Sequence, residues 1–397
     1  MNDSREITLG NCTMSAVDIL QNRPVSNAWD LLVGVGDNPF AAAMRACRVG
    51  EAFVTGGASD YDKFSALCSV ISQMGGHPLC RRAHRLIHAV CGCDLPINEA
   101  NCAAIWCACA EVCAGDGLGV RDVLYPLDVR TVYVAERPDA DLSAYAVQTD
   151  CMRIVPLFDP SALLDPAADG FARAMARLGD IGSVDGLTAA LGKAAERFAD
   201  AGCDRMRISA PPFAFERPHP YRADQILKAY RDHADEPPEI DAYASQMLRV
   251  LGEIAVKHGW QMMLADDYIE NGEELLAYLD GCDRLPRTVY APSWNPWIVS
   301  ELAGRYGLIS IGMTADRDTA VGMLRKGICD YATHAPIGSL AGMEIAVTHP
   351  LDVLILDDAN EVLDTLTREW RAGGLAPTDA CYTVRSIKRS LTRKNTP

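Results

Sequence analysis

The sequence predicts an α/β fold: a (β/α)8 barrel with a helical insertion between its first and second strands. Three observations carry this expectation. From about residue 129 short β-branched runs alternate with helical patterns, the signature of parallel strands joined by crossover helices. With one run near the N-terminus, the strand candidates number eight. A chain of 397 residues suits one large α/β barrel, or two mid-sized domains, and exceeds one small domain.

In chain order the strand candidates are EITLG (6–10), VRTVYVAE (129–136), MRIVPLF (152–158), DRMRISA (204–210), WQMMLA (260–265), RTVYAP (287–292), LISIGMT (308–314) and ICDYATH (328–334). Apolar residues recur at helical spacing in the connections, as Leu187, Leu191, Ala195 and Phe198 before the fourth strand and Ile240, Tyr243, Met247, Leu251 and Ile254 before the fifth. Gly202, Gly259 and Gly327 stand where C-terminal caps belong. Residues 15–128 read as almost wholly helical, which places the barrel at 1–14 and 126–397 and the insertion at 15–125. The Pro- and aromatic-rich stretch Pro211–Pro238 reads either as a lid over the active face or as a surface loop without a role.

At 49% hydrophobic and 23% charged, the chain has the composition of a folded protein, which excludes disorder, collagen and coiled coil. Its 53 acidic and 37 basic residues give a net charge of −16, so nucleic acid and anionic membrane are not expected partners. The longest nearly uncharged stretch, Asn101–Ala110, is about half of a membrane span. Fifteen cysteines are few for this length, and MNDSREITLG lacks the apolar centre of a signal peptide, so a cytoplasmic protein with free thiols is expected.

Cys102, Cys109 and Cys113 fall on one helical stripe with Ile105 and Trp106, the pattern of small hydrophobes lining a packed helix rather than of a metal centre. None of the eight histidines forms H-x-H or H-E-x-x-H, and no glycine-rich phosphate loop or G-x-S-x-G elbow occurs. A barrel sets its chemistry at the C-terminal strand ends. There the polar residues are Asn11, Glu136, Asp159, Arg207, Asp266 with Asp267, Asn295, Asp316 and His334. Acids and an Arg around one mouth can bind and deprotonate a hydroxylated or carboxylated small molecule, although each residue also reads as a helix cap or loop residue.

The order of short strings resembles the uronate isomerase family, metal-dependent (β/α)8 barrels related to the amidohydrolases. The strings include NCTMSAVDILQNRPV (11–25), GDNPFAAAMRACRVGEAFVTGGASDYDKF (36–64), HPLCRRAHRLIHAVCGCDLPINEANCAAIW (77–106), MRIVPLFDPSALL (152–164) and LPRTVYAPSWNP (285–296). The resemblance implies interconversion of glucuronate or galacturonate with the ketose acids, and self-association into a homo-oligomer. It also implies a metal site whose donors this chain largely lacks. Where the family has His-x-His after the first strand, this chain has Asn11 and Thr13; the substrate-facing His falls on Asn38, while Arg45 stays; the fifth-strand metal His falls on Ala265, before Asp266 and Asp267. A local match of GMTADRD keeps the family's last Asp as Asp316, whereas the preferred strand count makes that run the seventh strand and leaves Tyr331–Pro336 as the eighth, with His334 near the place of the Asp.

Two readings follow. The first is a divergent enzyme acting on a sugar acid or another small polar substrate, without metal or other cofactor. In it Asp266 or Asp267 is the base, His334 an acid/base, Asp316 a support, and Arg207 a carboxylate clamp, with Asp159, Arg45 and Asn295 in substrate binding. The second is a non-catalytic paralogue with a binding, regulatory or structural role. A metal-dependent uronate isomerase of the unaltered kind ranks below both.

Overall fold

The computed structural model describes residues 15–34, 38–75, 77–115, 117–127, 129–146, 152–232, 239–266 and 269–292, the backbone of 7–12, 309–313 and 344–345, and parts of 361–372. Eight strands form one sheet: β1 (Ile7–Cys12), β2 (Val129–Glu136), β3 (Arg153–Phe158), β4 (Arg205–Ser209), β5 (Gln261–Asp266), β6 (Thr288–Pro292), β7 (Ile309–Met313) and β8 (Glu344–Ile345). They neighbour one another in chain order and every pairing is parallel. Parallel neighbours need a crossover, and the helices Val184–Asp200 before β4 and Asp241–His258 before β5 supply two of them.

The expected eighth strand is displaced. The strand that pairs with β7 is Glu344–Ile345, downstream of Ile328–His334, and the latter run lies outside the described residues with Gly327. Periodicity marks apolar β-branched runs but cannot rank them, and only the ladder picks the one that pairs. β7 occupies the seventh place that strand counting assigns to the GMT run.

Strand alternation divides the sheet into two faces. Val132, Val134, Ile154, Phe158, Met206, Ile208, Met262 and Leu264 belong to the large core with the helical residues Leu187, Leu191, Phe198, Met247 and Leu251. Tyr133, Val155 and Leu157, with Ala135, form a separate cluster on the opposite face, the interior of a barrel. Phe158 joins the layers on the helical side, edge-on to Phe198 at 4.9 Å between ring centroids and tilted against Trp260 at 5.5 Å.

Both crossover helices follow the predicted faces. Ser183 accepts from the Gly186 amide as an N-cap, and Gly259 closes the second helix with φ 66°, a left-handed conformation that costs a β-carbon-bearing residue about 1–2 kcal/mol. Gly252, inside that helix, lets the chain at Arg284 approach closely. A β-carbon there would stand 2.6 Å from the Arg284 carbonyl oxygen. Gly252→Ala is therefore expected to lower stability by about 1–3 kcal/mol, measured as a shift of the urea midpoint at unchanged slope.

Between β1 and β2 the chain is helical, as expected, with Asp60–Gln73, Pro78–Cys91 and Cys102–Ala114 the longest helices. Their starts are written locally: Ser59 accepts from the Asp62 amide, and His77 accepts from Leu79 ahead of Pro78 in the first turn. Phe64, Leu86, Ile105 and Leu124 share one continuous core with Val129 and Ile154, so this segment is packed onto the sheet. Cys102 and Cys109 are buried, Cys113 and Trp106 partly so, and Cys107 is exposed, which is the stripe the sequence describes.

The stretch after β4 is more ordered than the loop reading allows. Phe213–Ala214 pairs in parallel with Ile269–Glu270, and Pro220–Arg231 is a helix capped by His219 that buries Ala223, Ile226 and Leu227. Proline in the first turn costs a helix nothing, which is why a proline-rich string can hide one. Among the described residues no helix is long and apolar enough to cross a membrane.

Candidate functional site

The C-terminal ends of β3 and β4 bring together two of the residues singled out from sequence. Arg207 alternates with Met206 and Ile208, which belong to the helical side, so it faces inward with Arg205 and Ser209. Its Nη1 lies 3.2 Å from Asp159 Oδ2, just past the end of β3. Asp159 is held in turn by Ser161, which donates its amide (3.0 Å) and its hydroxyl to Oδ1. The Ser209 amide donates to Ser161 Oγ at 2.9 Å, and the Asp159 amide to the Glu136 carbonyl, also at 2.9 Å. The result is a chain Ser209, Ser161, Asp159, Arg207 running across two strand ends. Arg207 remains about one-third exposed (34%), and its guanidinium carries N–H donors beyond the Nη1 that meets Asp159.

Below this chain the inner face carries a second polar contact beside its apolar cluster. The Arg205 guanidinium lies over the Tyr133 ring at 4.3 Å, and the Tyr133 hydroxyl donates to Asp204 Oδ2 at 3.1 Å. Burial raises the Tyr133 hydroxyl well above its usual range despite the cation, which keeps it a neutral donor. This layer lies at the N-terminal end of β4, the end associated with stability rather than chemistry.

Glu136 is corrected by the structure. It has the parity of Val132 and Val134 and turns toward the helical side, where Tyr145 donates to its Oε1 at 2.9 Å. Burial pushes its carboxyl above the ordinary 4.5, against the Tyr145 hydrogen bond and Arg137, which lower it. An acid whose folded value is raised binds protons more tightly folded than unfolded, so its contribution is complete below 4.5 and is lost as pH rises through the folded value. Glu136→Gln keeps an acceptor for Tyr145. Its melting temperature is expected to fall less than that of the parent as pH rises from 4.5 to neutrality.

The remaining residues are distributed as follows. Asp266 ends β5, whose Ala265 is the register partner of Ser209, so its backbone adjoins the Arg207 site; its side chain lies outside the described set. Asp267, Asn295, Asp316 and His334 lie outside the described residues. Arg45 is paired with Glu51, its Nη2 2.6 Å and its Nε 3.1 Å from the carboxylate, and both side chains are exposed. That pair, with the Thr55 hydroxyl, holds Glu51 down at about 2. Asn38 is spent on local structure, accepting from the Phe40 amide at 2.9 Å and donating to the Val54 carbonyl at 3.1 Å.

Ser161 and Ser209 are the contributors that the candidate set lacks. A signal for Ser209 exists in the alternation Arg205, Arg207, Ser209; none exists for Ser161, whose place depends on the turn after Asp159.

A divalent ion of the kind the resemblance implies needs several imidazole or carboxylate donors converging at about 2.0–2.2 Å. At the two strand ends in question the chain offers Asn11 and Cys12 on β1 and Ala265 before Asp266 on β5. Among the described residues no three His, Cys, Asp or Glu side chains are grouped to hold an ion.

The chain is similar to known proteins in both sequence and fold. A family model described as glucuronate isomerase matches residues 6–288. The uronate isomerase of Oceanobacillus iheyensis is 25% identical over 417 aligned residues, covering 93% of this chain and 87% of that protein. Among solved structures, uronate isomerase from Thermotoga maritima superposes with a TM-score of 0.84 at 18% identity, covering 98% of this chain and 94% of the other. Glucuronate isomerase from Caulobacter crescentus does so with a TM-score of 0.83 at 15% identity, covering 99% and 92%. The architecture that these likenesses share with the parallel eight-stranded sheet is the (β/α)8 barrel.

Proposed function

The chain belongs to the glucuronate isomerase family, and from that premise we propose that it takes a sugar acid, or a similarly small polar carboxylate, at the C-terminal mouth of its barrel and moves a proton on it with a metal-free acid/base site. The observation that carries this reading is the Asp159–Arg207 pair at adjacent strand ends, part-exposed and fixed by Ser161. A planar guanidinium already steadied by one carboxylate presents its other N–H groups as a fork, the geometry a second carboxylate accepts. Arg207 thus binds the acid group, and Asp159 orients Arg207.

Aldose–ketose interconversion requires a proton to leave one carbon and return to its neighbour, work that a carboxylate or imidazole can do. Asp266 follows the register partner of Ser209 and, with Asp267, is the proposed base. His334 and Asp316 complete the acid/base set in this reading.

The second reading, a barrel kept for binding alone, is favoured by Asn38 and Arg45, whose polar groups are consumed by Phe40, Val54 and Glu51. Purified protein is assayed for glucuronate and galacturonate turnover with a chelator and with added zinc or manganese, alongside thermal-shift measurements with the same acids. Turnover indifferent to chelator and metal is the expected result, with a rise in melting temperature on adding the substrate. Turnover abolished by the chelator and restored by zinc or manganese overturns the proposal. A thermal shift without turnover selects the second reading.

A further inference from the structure

The first turns of the helix Asp241–His258 reach segments that follow barrel strands. Asp241 Oδ1 accepts from the Ala214 amide at 3.1 Å, and Ser245 Oγ, one turn on, accepts from the Glu216 amide at 3.0 Å. Between them in sequence, Tyr243 donates its hydroxyl to the Leu163 carbonyl at 2.9 Å. Leu163 ends the short turn Ser161–Leu163 that follows Asp159, and Ala214 and Glu216 lie just past β4. Tyr243 and Ser245 are fully buried and Asp241 is partly so. Packing alone asks for none of this. An acid in a first helical turn ordinarily serves its own helix dipole, and a buried helical serine ordinarily bonds back to its own helix.

Four residues of helix advance about 6 Å and two residues of extended chain about 6.6 Å, so acceptors at 241 and 245 meet alternate amides of one strand. The amide between those two, that of Phe215, donates instead to the Glu270 carbonyl at 2.9 Å, where Phe213–Ala214 pairs with Ile269–Glu270. The amides of Ala214, Phe215 and Glu216 are thereby all engaged. The register of β4 and β5, Ser209 against Ala265, resumes at Phe213 against Ile269, so equal lengths of chain, 210–212 and 266–268, separate the barrel ladder from this ribbon. The segment 266–268 contains the proposed base.

We propose that Asp241, Tyr243 and Ser245 are positioning residues of the mouth, holding from one helix both the turn behind Asp159 and the strand extension beyond Asp266. The inference rests on the reading of that mouth as an acid-binding site. Tyr243 fixes the turn whose Ser161 steadies Asp159, and Asp159 orients Arg207. Asp241 and Ser245 fix Phe213–Glu216, which pairs with Ile269–Glu270 and so holds the far end of the segment that bears Asp266 and Asp267. The carboxylate clamp and the base thus share one rigid support, which sets the distance between them.

The test compares the full-length parent with Asp241→Ala, Asp241→Asn and Tyr243→Phe, by hydrogen exchange read with mass spectrometry and by calorimetric titration of glucuronate and of the matching neutral sugar. Asp241→Ala is expected to speed exchange in peptides spanning 213–216 and 269–270. It is also expected to weaken glucuronate binding about two- to tenfold, since the contact can bias the mouth by no more than its hydrogen bond is worth. Asp241→Asn, whose side-chain oxygen still accepts from Ala214, is expected to restore both. Tyr243→Phe keeps the ring and is expected to weaken the acid in the same range while sparing the neutral sugar. Variants that lower the urea midpoint but keep the parent's preference for the acid over the neutral sugar overturn the proposal, as does Asp241→Asn behaving like Asp241→Ala. A parent that binds no acid ends the acid-binding reading instead, and exchange then decides alone. Peptides at 213–216 that exchange no faster in Asp241→Ala overturn the holding role, and faster exchange that Asp241→Asn reverses supports it.

Discussion

Phe158→Ala is expected to lower stability by about 3–5 kcal/mol, the cost of a large core truncation that its surroundings cannot refill. The ring is fully buried between β3, the helix Val184–Asp200 through Phe198, and Trp260 at the start of β5. Each neighbour is anchored in a different element, so collapse into the void requires the sheet and the helix layer to move together. Chemical denaturation read by tryptophan fluorescence measures the loss, since Trp260 borders the cavity. Phe158→Leu should recover more than half of it. A loss under 1 kcal/mol for the alanine variant would mean that this contact does not join the layers.

Arg207→Met is expected to weaken binding of glucuronate or galacturonate about ten- to hundred-fold, the range for removing hydrogen bonds to a charged group. The effect on folding should be small. The pair is part-exposed, with Arg207 at 34% and Asp159 at 18%, and Asp159 keeps the Ser161 amide and hydroxyl after the cation is gone. Arg207→Lys should fall between the two, because a point charge cannot reproduce the fork. Calorimetric titration with the acid and with the matching neutral sugar separates the cases. Equal weakening toward both ligands removes the carboxylate-clamp role from Arg207.

Much of the fold was legible without coordinates. The runs at 129–136, 152–158, 204–210, 260–265, 287–292 and 308–314 each match a strand of the sheet to within a residue or two, and the helical stripes Leu187 to Phe198 and Tyr243 to Ile254 are buried as their spacing implies. These signals are local: periodicity reports which face of one element meets a core, and caps such as Ser59, Ser183 and Gly259 act within their own turn. The place of β8 was not legible, because strand identity there depends on which run finds the open edge of β7.

The candidate site divides in the same way. Sequence alone establishes that Arg205, Arg207 and Ser209 share one face of their strand and that helical patterns connect the strands. Tertiary structure decided that this face points into the barrel, that Asp159 reaches Arg207 from the neighbouring strand, and that Glu136 turns away to Tyr145. The physical reason is that alternation fixes relative direction within a strand at a period of two, whereas which side becomes the interior, and which residues of the next strand stand opposite, follow only when helices cover one side of the sheet and the hydrogen-bond register is closed.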